Sequence, residues 1–543
     1  MRTDYDIVIV GSGFGGSLLA MVARRLGKTV LLVERGRHPR FAIGESTSPL
    51  ANLLLEQIAL RYDLPRLLPL TTYGSWQRAY PEIGCGLKRG FTYFHHEAGR
   101  SYRAAPGRSN QLLVAASPND ATADTHWLRS DVDHFLVREA TGIGVDYVDE
   151  TFVSDVEWSD GTALLRLQSE RNGEPVRIRA NLIVDATGPR GFLSKVLGIT
   201  ESPFANYPAT QTLFSHFTGV SRCEDMESFR PIETPPYPLD DAAVHHVFDG
   251  GWMWLLRFGN GVTSAGIALK KGLAEELRLS EGEPAWGRFL SRFPTIRDQF
   301  AAARPTRPFT YSARLAYRSS RAAGPGWALL PSAAAFVDPF FSTGIPLTLL
   351  GIQRMGRILE ETSLGTGSSS ELQTRLDAYG EATLAEADWA AHLIGACYAA
   401  FPDFRLFSSL AMFYFAAASF SEIAHRVEKP WLADRYLGAG HPTFAEGLRH
   451  CARILGEGIY GRGTPGKDAV TVAFETRAFA GRVAEAISLL NIAGLCDASK
   501  RNWYGVDLAD VVRGADKLGM EPSRMREIIE CAPWAGNAPV ALR

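Results

Sequence analysis

The chain has 543 residues, 46% of them apolar and 21% charged, with six cysteines and a formal net charge of −2. The length allows a large core and two or three domains. The near-neutral balance excludes a basic field for nucleic acid. The cysteines are scattered and none forms C-x-x-C, which excludes a zinc-ribbon or disulfide framework and fits a reducing cytosol. No uninterrupted apolar stretch reaches transmembrane length, and a motif that begins at residue 6 leaves no room for a signal peptide. The expected compartment is cytoplasmic.

Residues 6–10 form a short apolar run of the kind a buried parallel strand makes. Gly11-Ser12-Gly13-Phe14-Gly15-Gly16 follows at once, residues 17–26 read as a helix, and a second apolar run at 29–33 ends in Glu34. This is G-x-G-x-x-G between a strand and a helix, with an acid 18 residues after the last glycine. Gly11 allows a tight turn, Gly13 lets a pyrophosphate approach the backbone, and Gly16 lets helix and strand pack closely. The helix N-terminus offers free N–H groups to the phosphates, and Glu34 can accept hydrogen bonds from ribose hydroxyls. A dinucleotide site is the expected reading.

Arg35-Gly36-Arg37-His38-Pro39-Arg40 is a basic turn that could lie beside the phosphates or simply be a solvated loop. Residues 48–68 read as helical. Residues 86–96 alternate like a strand entering from a turn, which puts the adjacent His95 and His96 on opposite faces and argues against a joint metal site. A helix opens near Trp127, with Ser130 as a credible cap, and Arg129 before it could reach the cofactor or make a structural ion pair. Residues 146–180 give short strands. Residues 181–184 form a buried strand ending in Asp185-Ala186-Thr187-Gly188, which resembles a segment of FAD proteins that share the first fingerprint. Residues 205–315 switch to antiparallel patterns, a plausible substrate platform. His216, His245 and His246 lie here without carboxylate spacing for a metal.

At residues 326–346 a strand leads into a loop and then a helix from about Leu347 to Glu361. The backbone N–H groups of Ser342-Thr343-Gly344 precede that helix and can hold an anion or a flavin oxygen. The remainder, 370–543, reads as mostly helical after a short loop signal at 365–370. Within it Phe404, Phe407, Phe413, Tyr414, Phe415 and Phe420 make an aromatic stripe that could be core or pocket lining.

Taken together, these residues resemble the flavin-dependent halogenases, within the larger group of FAD monooxygenase-like folds. The resemblance is carried by Gly11/Gly13/Gly16 with Glu34, Ile43-Gly44-Glu45-Ser46, Lys88 before Phe91, Asp185 to Gly188, Trp252-Met253-Trp254, and Phe336-x-x-Pro339-x-x-Ser342-x-Gly344. It covers about residues 5–360.

The resemblance implies an α/β fold. A Rossmann-type FAD-binding domain (1–200 with 320–365) would be interrupted by an antiparallel β-sheet substrate domain (201–319) and followed by a helical C-terminal region (366–543). It implies an oxidoreductase of secondary metabolism using FADH2 from a separate flavin reductase, oxygen and chloride or bromide. The substrate would be a small electron-rich aromatic: a phenol, a pyrrole or a carrier-protein-bound compound. By position, Lys88 is the lysine that handles hypohalous acid, Thr343 and Gly344 hold halide, and Gly11, Gly13, Phe14, Gly16, Glu34, Arg35, Ser46, Arg129, Asp185, Gly188, Ser332, Asp338, Gly344 and Ile345 contact the cofactor.

Three departures stand out. Arg257 occupies the proline position of the family's W-x-W-x-I-P motif and would add a charge near the passage from flavin to substrate. Pro331-Ser332 replaces a Gly-Asp whose acid binds the ribityl chain, and serine retains only one comparable hydrogen bond. Phe341 stands where the tryptophan-specific branch has a glutamate, which argues against free tryptophan. Arg257 and Ser332 also leave open a related monooxygenase, dehydrogenase or oxidase that does not halogenate.

Overall fold

The structure is a computed structural model that describes residues 2–159, 162–171, 173, 175–231, 233–364, 370–457 and 469–535. The loop expected at 365–370 lies, apart from Ser370, outside the described residues. Apolar runs build the centre of the first sheet: β1 (Asp4–Val10) turns through the glycines into α1 (Phe14–Arg25) and returns as β2 (Val30–Val33). Every residue of β2 is buried, as is α1 from Phe14 through Ala23. Each large aliphatic side chain so removed from water contributes about 1.5–3 kcal/mol.

The chain continues through α2 (Pro49–Arg61), α3 (Tyr73–Ala79), β3 (Cys85–Lys88), β4 (Gly90–His96), β5 (Gln111–Ala115), β6 (Asp124–Trp127), α4 (Arg129–Gly142) and β7 (Asp146–Val148). A hairpin of β8 (Thr151–Ser159) and β9 (Thr162–Ser169) leads to β10 (Pro175–Asp185) and α5 (Phe192–Val196). Next come β11 (Thr210–Thr218), β12 (Ala243–Phe248), β13 (Gly251–Arg257) and β14 (Thr263–Lys270), then α6 (Lys271–Glu276), α7 (Glu283–Arg292) and α8 (Pro294–Gln299). Short strands β15 (Arg304–Pro305), β16 (Thr310–Ser312), β17 (Tyr317–Arg318), β18 (Ala323–Gly324) and β19 (Trp327–Leu329) precede α9 (Pro331–Ala334), β20 (Ala335–Phe336) and α10 (Gly344–Glu361). The last third contains α11 (Ser370–Ala400), α12 (Phe404–Arg426), α13 (Pro442–Gly456), α14 (Ala469–Ile487), β21 (Trp503–Tyr504), α15 (Leu508–Arg513) and α16 (Pro522–Cys531).

Among the described residues the first sheet runs β18-β19-β10-β1-β2-β7, with the β8–β9 hairpin attached to β10. Its β19, β10, β1, β2 and β7 are parallel, the doubly wound arrangement expected. The second sheet runs β15-β11-β14-β13-β12-β4-β5-β21. The expected confinement of this sheet to 201–319 is corrected, since β4, β5 and β21 come from outside that range. Nor is it purely antiparallel: β4 pairs with β12, and β21 with β5, in parallel. A parallel pair is assembled from segments distant in sequence, so local alternation carries no sign of it.

Among the described residues one helix, α12, is by length and composition apolar enough to cross a membrane, but 78% of that apolar window is buried inside the protein. Most of the helix therefore reads as core, packed against α11, α14 and α2. α4 begins one residue before the expected cap: Leu128 is the cap position, and the Ser130 hydroxyl bonds Asp131 instead.

Candidate functional site

Two helix N-termini meet at the first sheet. Gly13 caps α1 without a side chain over the helix end. Gly11 has φ +102°, and a Cβ there would lie 2.5 Å from the Ala186 carbonyl oxygen, so the turn after β10 presses directly on the first glycine. A Cβ on Gly15 would lie 2.9 Å from Thr348 of α10. Helix α10 thus abuts the glycine turn, bringing Ser342, Thr343, Gly344 and Ile345 to the same end of the sheet.

The space beside Gly13 is basic. The atoms nearest a Cβ there would be from Arg129 at 3.6 Å, Asp133 at 3.7 Å and Arg40 at 3.9 Å. Arg129 is buried, grips Asp133 with two nitrogens (2.8 and 2.9 Å), holds the carbonyls of Ile43 and Gly44 and lies 4.9 Å over the Phe14 ring. Glu34 accepts from Ser12 N and Oγ, Gly36 N and Arg40. Burial alone would push this carboxyl up, but Arg40 and the N–H donors overcome it and hold it at about 2. An open backbone, two guanidiniums and an ionised acid fit an adenine dinucleotide. The buried Ser46 hydroxyl has no partner and fits a cofactor-facing donor.

Two expected cofactor residues are placed elsewhere. Arg35 is at the surface, 3.5 Å from Glu170, and it is Arg40 of the same basic turn that flanks Glu34. Asp185 spends its carboxylate on Thr187 N and Oγ1 and on Leu193 N, so it organises the turn around Gly188 and α5. A short polar side chain bonding its own backbone two residues on is a common way to shape such a turn. Ser332 is half-buried on α9, its carbonyl accepting from the Tyr317 hydroxyl.

Asp338 is wholly buried. Its carboxylate accepts from Tyr207 (2.5 Å), Tyr398 (2.9 Å) and Phe340 N (2.9 Å), and Trp252 Nε1 donates to Tyr398 at 3.0 Å. Burial raises this carboxyl to about 6 against the pull of those donors. Asp338 thus anchors the loop and the first tryptophan of the W-x-W element. After it, Phe341 and Ser342 both adopt positive φ, +62° and +56°. Consecutive left-handed non-glycine residues are costly, and here they swing the chain sharply into α10.

Lys88 lies at the end of β3, wholly buried. Its ammonium donates to the Thr47 carbonyl and to Ser342 Oγ at 3.4 Å, and sits 4.0 Å from the Phe91 ring centroid. Burial lowers this amine to about 8 while nearby Asp124 pulls it upward. Phe91 also lines a cavity of about 130 Å³ walled by Ser48, Leu50, Tyr414, Phe415, Glu422 and Trp534, among others. The aromatic stripe therefore divides. Tyr414 and Phe415 face the cavity, while Phe413 packs on Phe444 and Phe404 and Phe407 pack on each other. Phe341 stacks on Tyr414 at 4.3 Å.

Arg257 does not enter this region. It pairs with Asp240 at 2.5 Å and donates to the carbonyls of Val220 and Ser221. His96 and His246 share a 2.8 Å hydrogen bond among aromatics, and no cluster of three or more metal-ligating side chains occurs among the described residues. Sequence reasoning missed Asp124, Asn52 and His126. None of them lies in a recognisable motif, and Asp124-Thr125-His126 reads in sequence as part of a polar stretch although all three are buried.

Residues 6–194 match the family model for FAD dependent oxidoreductases, and residues 109–400, more than half of the chain, match that for tryptophan halogenases. Tetracycline 7-halogenase of Kitasatospora aureofaciens is 32% identical over 353 residues, 63% of this chain and 61% of that protein. Monodechloroaminopyrrolnitrin halogenase PrnC of Pseudomonas fluorescens is 29% identical over 411 residues, 75% of this chain and 70% of that protein. The chain thus spans less than two thirds of the first relative's length. In fold, halogenase PltM crystallised with phloroglucinol and FAD superposes with a TM-score of 0.76 over 92% of this chain and 99% of that one, at 22% identity. The Rossmann-type glycine turn, the loop before α10 and the match across 109–400 converge: the chain belongs to the tryptophan halogenase family of flavin-dependent oxidoreductases.

Proposed function

We propose that this chain halogenates an electron-rich aromatic compound, a phenol, a pyrrole or a carrier-bound aromatic, using FADH2 from a separate reductase, oxygen and chloride or bromide. The observation that carries the reading is Lys88: a wholly buried amine between the Ser342 turn and the cavity wall. A lysine so placed, with its pKa drawn toward neutrality, can donate a hydrogen bond to hypohalous acid or take up halogen as a haloamine.

When bound, reduced FAD would supply the electrons with which oxygen is activated for halide oxidation. Gly11 and Gly13, with Arg40 and Arg129, would hold its pyrophosphate, Gly16 would keep helix and strand close, and Glu34 would take the ribose hydroxyls. The N–H groups of Thr343 and Gly344, at the positive end of α10, hold the halide. The Phe340–Phe341 wall and Trp252 keep this region dry, which favours delivery of the oxidant to Lys88 over its loss to water. The relatives' names include a carrier-protein-bound pyrrole as well as free small aromatics, so both substrate forms are within reach of the family. Phe341, stacked on the cavity-lining Tyr414, replaces a charged group with an apolar one and disfavours free tryptophan. With Arg257 bound to Asp240, the charge that favoured a non-halogenating oxidation is accounted for structurally.

The test uses purified protein, FAD, a flavin reductase, NADH and bromide with a panel of phenols, indoles and pyrroles, free and carrier-bound, and catalase present to remove free peroxide. The expected result is an enzyme-dependent product with the bromine isotope pair. Oxygenated products without halogen across the panel would overturn the reading.

A further inference from the structure

The β3–β6 ladder places Lys88 directly opposite Asp124, so both side chains leave the same face. His126, two residues on, shares that face. Asp124 is buried; Asn52 of α2 donates to its Oδ1 at 2.8 Å, and Oδ2 has no hydrogen-bond partner. The Lys88 ammonium places its own bonds on Thr47 and Ser342 rather than on this carboxylate. An acceptor buried without a partner is destabilising, so simple cohesion does not explain an aspartate here.

We propose that Asp124, oriented by Asn52, is a positioning residue that sets the charge state of Lys88 at the cavity wall. The proposal rests on Lys88 being the reacting amine. A buried lysine with no nearby carboxylate sheds its proton to escape the low dielectric. The other groups around the pair do not replace Asp124. His126 and His245 are driven to about 3 by burial and are neutral. The Tyr414 phenol is driven far up by burial and is also neutral. Glu422 and Arg426 on α12 pair with each other at 2.8 Å. Burial raises Asp124 itself to about 7 against the pull of Lys88 and the Asn52 donor, so the two buried groups titrate together; in its ionised form the Asp124 carboxylate acts upward on Lys88.

Asp124→Asn keeps the shape and the Asn52 contact but removes the charge. Asn52→Leu keeps the charge group but removes the donor that favours its ionised form. Protein labelled with [13Cε]lysine would be titrated by NMR, with the Lys88 resonance identified by its loss in Lys88→Arg. The wild-type midpoint is expected near 8. In Asp124→Asn it should fall by about one pH unit, a tenfold change in the acid constant, and in Asn52→Leu by less in the same direction. The pH limb of bromination kcat/KM should move acid-ward by the same amount, whether the ammonium or the free amine is the working form. An unmoved Lys88 midpoint in a natively folded, FAD-retaining Asp124→Asn protein overturns the proposal. If that variant does not fold, an unmoved midpoint in Asn52→Leu overturns it equally. A shifted midpoint in a protein that brominates nothing sustains the role of Asp124 and refutes the halogenase reading, so the two failures are distinguishable.

Discussion

Lys88 Nζ lies 3.4 Å from Ser342 Oγ, across 254 residues of sequence. One ends β3, just before the cavity-lining Phe91, and the other belongs to the strained turn that opens α10. The contact joins the two stretches on which a halide-oxidising and an arene-modifying chemistry would separately depend.

Replacing Lys88 tests that coupling first. Lys88→Met keeps the apolar stem but leaves Asp124 and the Thr47 carbonyl without their cationic partner, so the variant is compared with wild type only as folded, FAD-retaining protein. Halogenated product should fall by at least about 100-fold, while oxygen-dependent reoxidation of FADH2 continues, as followed by oxygen uptake and mass spectrometry. Undiminished product would remove Lys88 from the mechanism.

Ser342 permits a separation of strain from hydrogen bonding. Ser342→Ala retains the left-handed backbone and loses the Lys88 contact, whereas Ser342→Gly loses the contact but relieves about 1 kcal/mol of strain. Both should lose turnover. The glycine variant should melt above the alanine variant by about one degree in a thermal scan, and equal midpoints would show that the turn stores no strain at this residue.

Glu34 bears on cofactor retention. Its charge is held by Arg40, Ser12 and Gly36, and Glu34→Gln exchanges charge-assisted acceptors for neutral ones. FAD affinity should drop about 10- to 100-fold, corresponding to about 1.5–3 kcal/mol, measured by flavin fluorescence titration. Arg35→Ala, by contrast, should leave the affinity unchanged, because its side chain faces Glu170.

The buried Asp338 gives a pH signature. Burial raises its folded-state pKa from 3.8 to about 6, so between those values the folded state binds more protons than the unfolded state. The stability contributed by this group is therefore lost as pH rises from about 4 to 6, by up to about 3 kcal/mol. Asp338→Asn lacks that slope. The thermal midpoint of the variant relative to wild type should rise between pH 4.5 and pH 7, and a constant difference would show that Asp338 does not titrate in this range.

Arg257 separates stability from chemistry. Its removal leaves Asp240 buried without its ion partner, at a cost of about 3–5 kcal/mol. Arg257→Met should melt at a clearly lower temperature, yet folded protein should retain FAD and brominate at the wild-type rate. Lost bromination with an unchanged melting point would return Arg257 to the passage between cofactor and substrate.

What the sequence by itself determined is local. The glycine turn with Glu34, the apolar strands of the first sheet and the turn before α10 are short-range patterns whose spacing dictates backbone shape, and the structure reproduces them. Side-chain destinations were a different matter. Arg35 and Arg40 are equivalent on a sequence turn, and only the fold turns one to Glu170 and the other to Glu34. Asp185 follows an apolar strand in either reading, but the return of the chain through α5 consumes its oxygens.

The tertiary structure alone decided the rest. The parallel pairing of β4 with β12 joins segments about 150 residues apart, and it carries Phe91 and Tyr93 to the aromatic wall formed with α12. Asp124 had no sequence motif; it matters because the antiparallel register of β3 and β6 sets it opposite Lys88. Long-range register depends on burial and hydrogen bonding summed over whole sheets, and no window of neighbouring residues contains that information.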